Sequence, residues 1–349
     1  MTSERLDEFL RRFPSLRIAV AGDYFLDKYL DIDRSRSELS VETGLEAHQV
    51  VSVRCYPGAA GTVTNNLAAL GVGTIIAVGA IGDDGEGFEL QRALREAGVR
   101  LDALIRAPEL RTPTYTKPML HEPGRPPREI ERLDIKNRRP LPQRVEGSFI
   151  ERLREIAAQV DGVIIADQVQ ERNCGLITDR VREALAQLGN AHPERVFLAD
   201  SRTRIGLFRN VIVKPNRTEA FAAVGLKAPD CPSEDEVAEV GRRLIQRTGR
   251  PAFITAGADG VYALKAGECK RIPAYAPQGE IDIVGAGDSV AAAMCAALCA
   301  GASPEEAALA GCLAASITIE QIGVTGTASP DALRRRLEEY RAQQKTESP

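Results

Sequence analysis

The segment Asp282–Asp288, which reads DIVGAGD, brings together residue types that suit phosphoryl chemistry. Gly285, Ala286 and Gly287 lie at the start of a run of small apolar residues that predicts a helix, so their backbone N–H groups would point towards an anion. Glycine also lets a phosphate come close to the backbone. In a site that only bound phosphate, the carboxylate of Asp288 would repel the ligand. In a catalytic site, however, Asp288 could act as the base that takes a proton from a hydroxyl group. A tight turn followed by a helix-capping Asp288 is the alternative for this motif taken alone.

Four other motifs occur in the same chain: GAAGTVTNNLAALG at 58–71, AIGDDGEG at 80–87, KPNRTE at 214–219 and TAGADG at 255–260. Together with DIVGAGD they resemble, in the same order, the signatures of the ribokinase-like, or PfkB-type, carbohydrate kinases. The resemblance covers roughly residues 17–325. Each motif alone is weak evidence, whereas the ordered set is specific. It implies an ATP-dependent carbohydrate kinase.

The resemblance implies a role for each residue of the DIVGAGD segment that could take part in the reaction. Asp288 would be the base that activates the acceptor hydroxyl, and Gly285, Ala286 and Gly287 would direct N–H groups at the charge on the transferred phosphoryl group. Asp282 would help to hold a monovalent cation such as K⁺, with a strand-end turn residue as the alternative.

The same resemblance implies ATP and Mg²⁺ as cofactors. Asn216 and Glu219 would organise the water shell of the magnesium ion, as expected for a cation that keeps much of its hydration. Thr255, Gly257 and Gly260 would border the nucleotide, although such a strand and turn is also a common hairpin.

On the sugar side, the family places a carboxylate five residues after the glycine of its first strand, which here is Asp27, with Asp23 as the competing candidate. Backbone at the second motif and the end of the strand GVIIAD would also meet the sugar. The predicted substrate-binding residues are Asp27, Gly58, Ala59, Thr62, Lys117, Arg132 and Asp167.

Within the family, the opening AGDYFLDKY and the segments SRSELSVETG, TPTYTK and ERLD look most like the heptose 7-phosphate kinases of bacteria. Lys117 and Arg132 could serve the second anion of such a sugar phosphate. The sugar motif departs from the family, however, because Pro57 replaces a glycine and Thr62 replaces an asparagine, so one hydroxyl stands where an amide is usual. A fructokinase, ribokinase or adenosine kinase type of substrate, or a non-catalytic sugar or nucleotide sensor, therefore stays an alternative.

The order of predicted elements indicates how these residues are positioned. Apolar runs of strand length alternate with helical patterns, which predicts a three-layer α/β/α sandwich with a central, mostly parallel sheet. Residues 28–56 and 112–134 have β-type patterns outside this alternation, and we expect them to form a small β-sheet lid. Residues 1–349 would form one ribokinase-like kinase domain, with 344–349 as a disordered tail.

Composition limits the other possibilities. A net charge of −4 provides no field that would favour nucleic acid or an anionic membrane. The seven cysteines include no CxxC pair, and the N-terminus has no apolar signal-peptide core, which together favour a cytoplasmic protein without a membrane segment. The edge strands of the expected lid could pair with a second copy, so we predict a homodimer through the lid.

Overall fold

The computed structural model describes residues 1–265 and 267–347, of which 346 and 347 are described as backbone only. Ten α-helices occur in that part of the chain: α1 (Ser3–Arg12), α2 (Ala60–Ala69), α3 (Gly85–Glu96), α4 (Gln143–Ala157), α5 (Asp179–Ala191), α6 (Arg217–Ala223), α7 (Glu234–Thr248), α8 (Ala286–Cys299), α9 (Pro304–Thr318) and α10 (Pro330–Glu347). The strands are β1 (Arg17–Gly22), β2 (Tyr24–Asp33), β3 (Glu38–Leu39), β4 (Glu46–Ala47), β5 (Val50–Ala59), β6 (Thr74–Ile81), β7 (Leu104–Arg106), β8 (Thr114–His121), β9 (Arg128–Glu129), β10 (Leu133–Ile135), β11 (Gly162–Asp167), β12 (Val196–Ser201), β13 (Ile212–Val213), β14 (Ala252–Thr255), β15 (Val261–Lys265) and β16 (Glu268–Ile272).

Nine of these strands form the central sheet, in the order β16-β15-β14-β13-β12-β11-β1-β6-β7. The pairs from β7 to β14 are parallel, and the pairs β14–β15 and β15–β16 at one edge are antiparallel. Parallel strands need crossover connections, and helices supply most of them here. The carboxyl ends of β1, β11, β12, β13 and β14 therefore meet along one edge of the sheet, where open α/β sheets bind their ligands.

Helices cover both faces of this sheet. Successive side chains of a strand point to opposite faces, so Ile18 and Val20 pack with α1, α2, α3, α8, α9 and α10, whereas Ala19 and Ala21 pack with α4 to α7. Helix α8 is buried from Ser289 to Ala297, because its small side chains let it lie close to both the sheet and α9. The predicted three-layer sandwich is confirmed.

A second sheet forms the lid, with the strand order β10-β8-β2-β5 and with β9 paired to β8. Strand β2 pairs antiparallel with β5 and parallel with β8, so both β-rich excursions contribute to one sheet. The lid begins earlier than the expected residue 28, because β1 ends at Gly22 and β2 starts at Tyr24 with a single residue between them. It likewise extends to Ala59 and Ile135, beyond the expected 56 and 134. The Gly-Asp pair at 22–23 marks the end of β1 in the sequence, but nothing local shows that the following strand joins a different sheet.

Gly22 lies at the point where the chain leaves the central sheet for the lid. Its φ is +144°, and a Cβ on it would lie 2.1 Å from the backbone oxygen of Ala166 on the neighbouring strand β11. A side chain cannot fit there, so glycine lets β1 and β11 stay paired up to the hinge of the lid.

The C-terminal segment differs from the expectation. Residues 344–347, predicted to be part of a disordered tail, continue α10 to Glu347, while 348–349 lie outside the described residues. Gln343, Gln344 and Lys345 are good helix formers, so the helix continues through polar residues that read as a tail in the sequence.

Candidate active site

The carboxyl edge of the central sheet and the inner side of the lid enclose a cleft of about 510 Å³. Its walls come from the β1–β2 junction, the lid strands, the loop after β11 and the first turn of α8. The lining side chains that could do chemistry include Asp23, Asp27, Thr62, Tyr115, Lys117, Glu129, Arg132, Lys136, Glu171, Cys174, Arg202 and Asp288.

The first turn of α8 has the conformation that an anion site requires. Gly285 is the N-cap residue with φ +80°, and a Cβ on it would lie 2.8 Å from Cγ2 of Thr325, so a side chain would be both strained and crowded. The expectation that three N–H groups are available needs correction, because the N–H of Ala286 donates to the oxygen of Ile283 at 3.2 Å. Among the described residues the N–H groups of Gly285 and Gly287 have no acceptor, so these two can face an anion.

Asp288 lies in the same turn and lines the cleft. Burial raises the pKa of Asp288 to about 7, and the negative charge of Asp200 adds to the increase, which Lys214 and Arg202 partly offset. A carboxyl group with this pKa can accept a proton near neutral pH and give it up again, as a general base must.

A buried ion pair behind Asp288 was not assigned any role from the sequence. Lys214 is 3% exposed, and its Nζ lies 3.0 Å from Asp200 at the end of β12. A Cβ on Gly287 would come within 3.8 Å of the same Nζ, so the ammonium group lies against the first turn of α8. Burial alone would lower the pKa of Lys214, but Asp200, with Glu219 and Asp288 nearby, raises it above its usual value. The signal in the sequence was the lysine of KPNRTE together with an acid at the end of a strand.

Asn216 and Glu219 form a reciprocal capping box at the start of α6. The Asn216 side chain accepts from the Glu219 N–H at 2.9 Å, and the Glu219 carboxylate accepts from the Asn216 N–H at 2.8 Å. Burial raises the pKa of Glu219, the Asn216 N–H lowers it and nearby Asp200 raises it again. The predicted pair is therefore held together by the helix cap itself, which fixes its position at the edge of the sheet.

Thr255 lies beside Asn216, because its N–H donates to the oxygen of Pro215 at 2.9 Å and a parallel bridge joins Thr255 to Asn216. Gly257 and Gly260, with φ of +58° and +93°, form the turn that follows. A Cβ on Gly260 would lie 2.0 Å from the Ile272 oxygen, so this turn packs closely against β16. The predicted nucleotide-side residues are thus adjacent in space.

Asp27 and Lys117 form an ion pair on the lid side of the cleft, with 3.2 Å between Nζ and Oδ1. Lys117 also donates to the Tyr29 hydroxyl at 3.1 Å and lies over that ring. Burial alone would lower the pKa of Lys117, but Asp27 and Tyr29 raise it above its usual value. Gly58 makes room for the carboxylate, since a Cβ there would come within 2.6 Å of Asp27 Oδ2. The expected free cation at Lys117 is therefore already neutralised.

Arg132 and Lys136 flank the short strand β10 of the lid and also line the cleft. Both cations lie over the ring of Tyr115, at 4.3 Å and 5.5 Å from its centroid, and both pair with Asp134. Arg202, after β12, adds a positive charge to the lining and donates to the Gln168 side chain at 3.0 Å. Lys136 and Arg202 were missed because nothing local in the sequence links them to the predicted motifs.

Ala59 and Thr62 line the cleft at the start of α2. Ala59 adopts φ +54° and ψ −117°, an unusual conformation for a residue with a side chain, and strain of this kind concentrates at ligand sites. Thr62 is almost fully buried, with its hydroxyl 3.5 Å from the Pro57 oxygen. Thr62 therefore keeps a hydroxyl at the position where the sequence motif departs from its relatives.

Two carboxylates that were candidates for sugar contact are already occupied. Asp167 is 1% exposed, and its oxygens accept from Ser201 at 2.6 Å and from Arg204 at 2.9 Å. Burial raises its pKa, which Arg204 and Ser201 partly offset. Asp167 is not among the residues that line the cleft, and Ser201 and Arg204 occupy its oxygens, so the structure gives no support to its predicted contact with substrate. Burial and the charge of Asp167 raise the pKa of Asp23 to about 6, against three backbone N–H groups that lower it.

Asp282 accepts from the N–H of Val284 at 3.0 Å, while its own N–H donates to the oxygen of Ile319. One carboxylate oxygen of Asp282 thus shapes the turn before α8.

In the described part of the chain there is no group of three or more His, Cys, Asp or Glu side chains that could hold a metal ion. No helix in that part of the chain is long and apolar enough to cross a membrane.

Comparison with known families matches residues 27–332 to the pfkB family carbohydrate kinases. Among curated proteins, the bifunctional protein HldE of Gluconobacter oxydans is 29% identical over 324 residues, which are 92% of this chain and 64% of that protein. The HldE of Citrifermentans bemidjiense is 28% identical over 337 residues, 95% of this chain and 66% of that protein. The chain therefore spans less than two thirds of the length of these relatives.

Two solved structures share the fold. Arabidopsis thaliana ribokinase complexed with ribose and ATP has a TM-score of 0.66 at 17% identity and covers 93% of this chain and 99% of its own. Escherichia coli phosphofructokinase-2 in complex with fructose-6-phosphate has a TM-score of 0.68 at 20% identity with the same coverage of both chains. At such identities the likeness establishes the ribokinase-like fold.

Proposed function

The chain belongs to the pfkB family of carbohydrate kinases and is an ATP-dependent sugar kinase, and from this we propose that it phosphorylates a hydroxyl of a heptose 7-phosphate with Asp288 as the general base. The observation that carries the base assignment is the position of Asp288. Its carboxyl group lines the cleft, has a pKa of about 7 and lies one residue from an N–H group that has no acceptor among the described residues.

The proposed reaction needs little covalent chemistry from the protein. Asp288 accepts the proton of the acceptor hydroxyl while the oxygen of that hydroxyl attacks the γ-phosphorus of ATP. The bond between the γ-phosphorus and the β,γ-bridging oxygen breaks, and ADP leaves. The N–H groups of Gly285 and Gly287 stabilise the negative charge on the transferred group. Lys214 lies close to Gly287 and adds positive charge behind them.

The nucleotide side would lie along Thr255, Gly257 and Gly260. Asn216 and Glu219 fit a magnesium ion held through water, because a half-buried carboxylate and an amide lie together there without a cluster of further protein ligands among the described residues. When bound, the ion would neutralise phosphate charge. Asp282 is the candidate ligand for a monovalent cation beside this site.

The acceptor would lie between Asp27 and Asp288. Asp27, held by Lys117, would accept hydrogen bonds from sugar hydroxyls near Gly58, Ala59 and Thr62. Two lines of evidence support a sugar phosphate: the sequence resemblance to heptose 7-phosphate kinases, and the similarity to proteins named HldE. The cations Arg132, Lys136 and Arg202 line the same cleft and offer positive charge for a second anion.

The test is ADP release by the purified protein across a panel of acceptors: D-glycero-β-D-manno-heptose 7-phosphate, fructose, fructose 6-phosphate, ribose and adenosine. We expect turnover with the heptose phosphate at the highest kcat/KM. If fructose, ribose or adenosine gave a higher kcat/KM than the heptose phosphate, that compound would be the better candidate for the acceptor. These alternatives are included because Pro57 and Thr62 depart from the family's sugar motif. ATP binding without turnover of any acceptor would contradict the catalytic assignment and point to a sensor.

Replacing Arg132 by alanine tests the proposed anion site. We expect Arg132→Ala to raise the KM for heptose 7-phosphate about tenfold, since a charge-assisted contact to phosphate is lost. Arg128→Ala is the matched control, because Arg128 is on the same excursion but outside the cleft wall. Equal KM changes in both variants, or an equal change for an unphosphorylated sugar, would rule out the phosphate contact.

The rate should depend on pH through Asp288. Because a base acts only when deprotonated, kcat/KM is expected to rise with pH, to reach half of its maximum near pH 7 and to level off above it. The measurement is kcat/KM from pH 5 to 9 at saturating ATP, with Asp288→Asn as the control that should lack this inflection. An unchanged inflection in the variant would assign the pKa to another group.

A homodimer through the lid and a cytoplasmic location remain proposals. Strand β5 is an edge of the lid sheet, and its Val51 and Val53 are about half exposed. We expect sedimentation of the wild-type protein to give a dimer and Val53→Lys a monomer, because a charge on an edge strand opposes pairing. Leu207→Lys, at an exposed apolar residue outside the lid, is the control. A monomeric wild-type protein would contradict the proposal.

A further inference from the structure

Asp23 is a buried carboxylate whose oxygens bind the backbone of another part of the chain. It is 4% exposed and lies between β1 and β2, where the central sheet passes into the lid. Its Oδ2 accepts from the N–H groups of Gln168 and Val169 at 2.9 and 3.2 Å, and its Oδ1 accepts from the N–H of Leu176 at 2.7 Å. Both oxygens are thus engaged with the loop that follows β11.

The backbone of Asp23 joins two further elements. Its N–H donates to the oxygen of Ala166 at 3.1 Å, and its oxygen accepts from the N–H of Ala60, the first residue of α2, at 3.0 Å. The hinge of the lid, the start of α2 and the loop after β11 therefore meet at one residue.

The loop from 168 to 176 forms one wall of the cleft. Its residues that line the cleft include Gln168, Val169, Gln170 and Leu176. Within 168–176 the structure has no helix or strand, and one backbone hydrogen bond, from the N–H of Leu141 to the oxygen of Asn173 at 2.8 Å, joins the loop to the segment before α4. Side-chain contacts supply further anchors. Arg204 holds its outer side by donating to the oxygens of Val169 and Gln170.

Gly175 makes the close approach of the carboxylate feasible. A Cβ on Gly175 would lie 2.9 Å from Asp23 Oδ1 and 2.7 Å from Val169 Cβ. Burying a carboxylate is costly unless hydrogen bonds compensate. The three backbone N–H groups provide those hydrogen bonds, and the absence of a side chain at Gly175 leaves room for the carboxylate. All three N–H groups belong to the loop that forms the cleft wall.

We propose that Asp23 is a positioning residue, which clamps the 168–176 loop to the hinge of the lid and thereby fixes the wall against which the acceptor sugar binds. The role rests on the proposed function to the extent that the cleft holds the sugar. It differs from direct sugar binding, because the carboxylate oxygens are directed at backbone N–H groups of the protein. It also differs from catalysis, because Asp23 touches no reacting atom.

The first test measures the clamp without any substrate. Asp23→Asn is nearly isosteric but sets an amide NH₂ against N–H donors. Hydrogen–deuterium exchange of the free protein is expected to speed up at the amides of Gln168, Val169 and Leu176, and to stay unchanged in α7. Unchanged exchange at those three amides would overturn the proposal, whether or not the protein is a heptose phosphate kinase.

The second test separates positioning from folding. With heptose 7-phosphate as acceptor, Asp23→Asn should raise the sugar KM about tenfold or more and leave the ATP KM within about twofold, since small misplacements of a binding wall are costly. Gly175→Ala keeps the carboxylate but crowds it, and should change the sugar KM and the loop exchange in the same direction.

Glu146→Gln is the matched control. Glu146 is another buried carboxylate, which accepts from Thr178 at 2.5 Å just beyond the loop and is not part of the cleft wall. The Glu146→Gln substitution should lower the melting temperature of the protein without altering the sugar KM. If Asp23→Asn speeds up hydrogen exchange in the loop but leaves the sugar KM unchanged, the positioning role is overturned. It is also overturned if Glu146→Gln raises the sugar KM as much as Asp23→Asn does. Absence of turnover in the wild-type protein would instead count against the proposed function, and the exchange result would still stand.

Discussion

Asp288→Asn is expected to lower kcat by about 10²-fold or more while the affinity for ATP stays near the wild-type value, because the variant keeps the shape of the side chain but cannot accept the hydroxyl proton. The measurements are steady-state kinetics with the preferred acceptor and ATP binding by calorimetry. Removing the charge also relieves the repulsion between Asp288 and Asp200, so the variant should fold at least as stably as the wild-type protein.

Asp331→Asn is the control for the alternative in which Asp288 only stabilises its helix. Asp331 is likewise an acid in the first turn of a helix, but on α10 and away from the cleft. An acid in that position contributes about 0.3–1 kcal/mol through the helix dipole. If Asp288→Asn changed only stability, by an amount similar to Asp331→Asn, with a near-normal kcat, the base assignment would be refuted.

Lys214→Met is expected to be the most destabilising of the substitutions considered. Methionine has a similar length but no charge, so Asp200, Glu219 and Asp288 would lose their shared cation in a buried place. Breaking such a pair from one side costs about 3–5 kcal/mol. Because Lys214 lowers the pKa of Asp288, its loss should also move the half-point of the pH profile above the wild-type value.

Urea unfolding measures the first effect and a double-variant cycle isolates it. Adding Asp200→Asn to Lys214→Met should restore part of the lost stability, since it removes the carboxylate that was left unpaired. Lys28→Met is the control, because the Lys28–Glu86 pair at 3.5 Å is partly exposed and should cost less than about 1 kcal/mol. A loss for Lys214→Met no larger than for Lys28→Met would contradict the view that the pair is essential to the site.

The sequence predicted the features that depend on local pattern. The alternation of strands and helices predicted the central sheet and its two helical layers. Helix α7 begins with a capping box of Ser233 and Glu236, whose spacing is visible in the sequence alone. The Gly-Ala-Gly segment predicted the turn before α8, and the left-handed conformation found at Gly285 is one that favours glycine.

What the sequence did not predict depends on which strands lie side by side. Asp200 and Lys214 are joined because β12 and β13 are parallel neighbours, which no local pattern reveals. Asp23, Asp27 and Asp167 all look alike as acids near strand ends. Their roles differ only because Asp27 faces the cleft, Asp23 meets the loop after β11 and Asp167 meets Arg204.

The parallel pairing of β2 with β8 has a consequence for the order of folding. Leu26 pairs with Thr114 and Asp33 with His121, while β6, α3 and β7 of the central sheet lie between these partners in the chain. Closing so long a loop costs conformational entropy before the hydrogen bonds between β2 and β8 can stabilise the pair. The pairing of β8 with β2 is therefore expected to form late, after β1 and β6 have paired, and a newly made chain would expose the β8-facing edge of β2 until the residues of β8 have been synthesised.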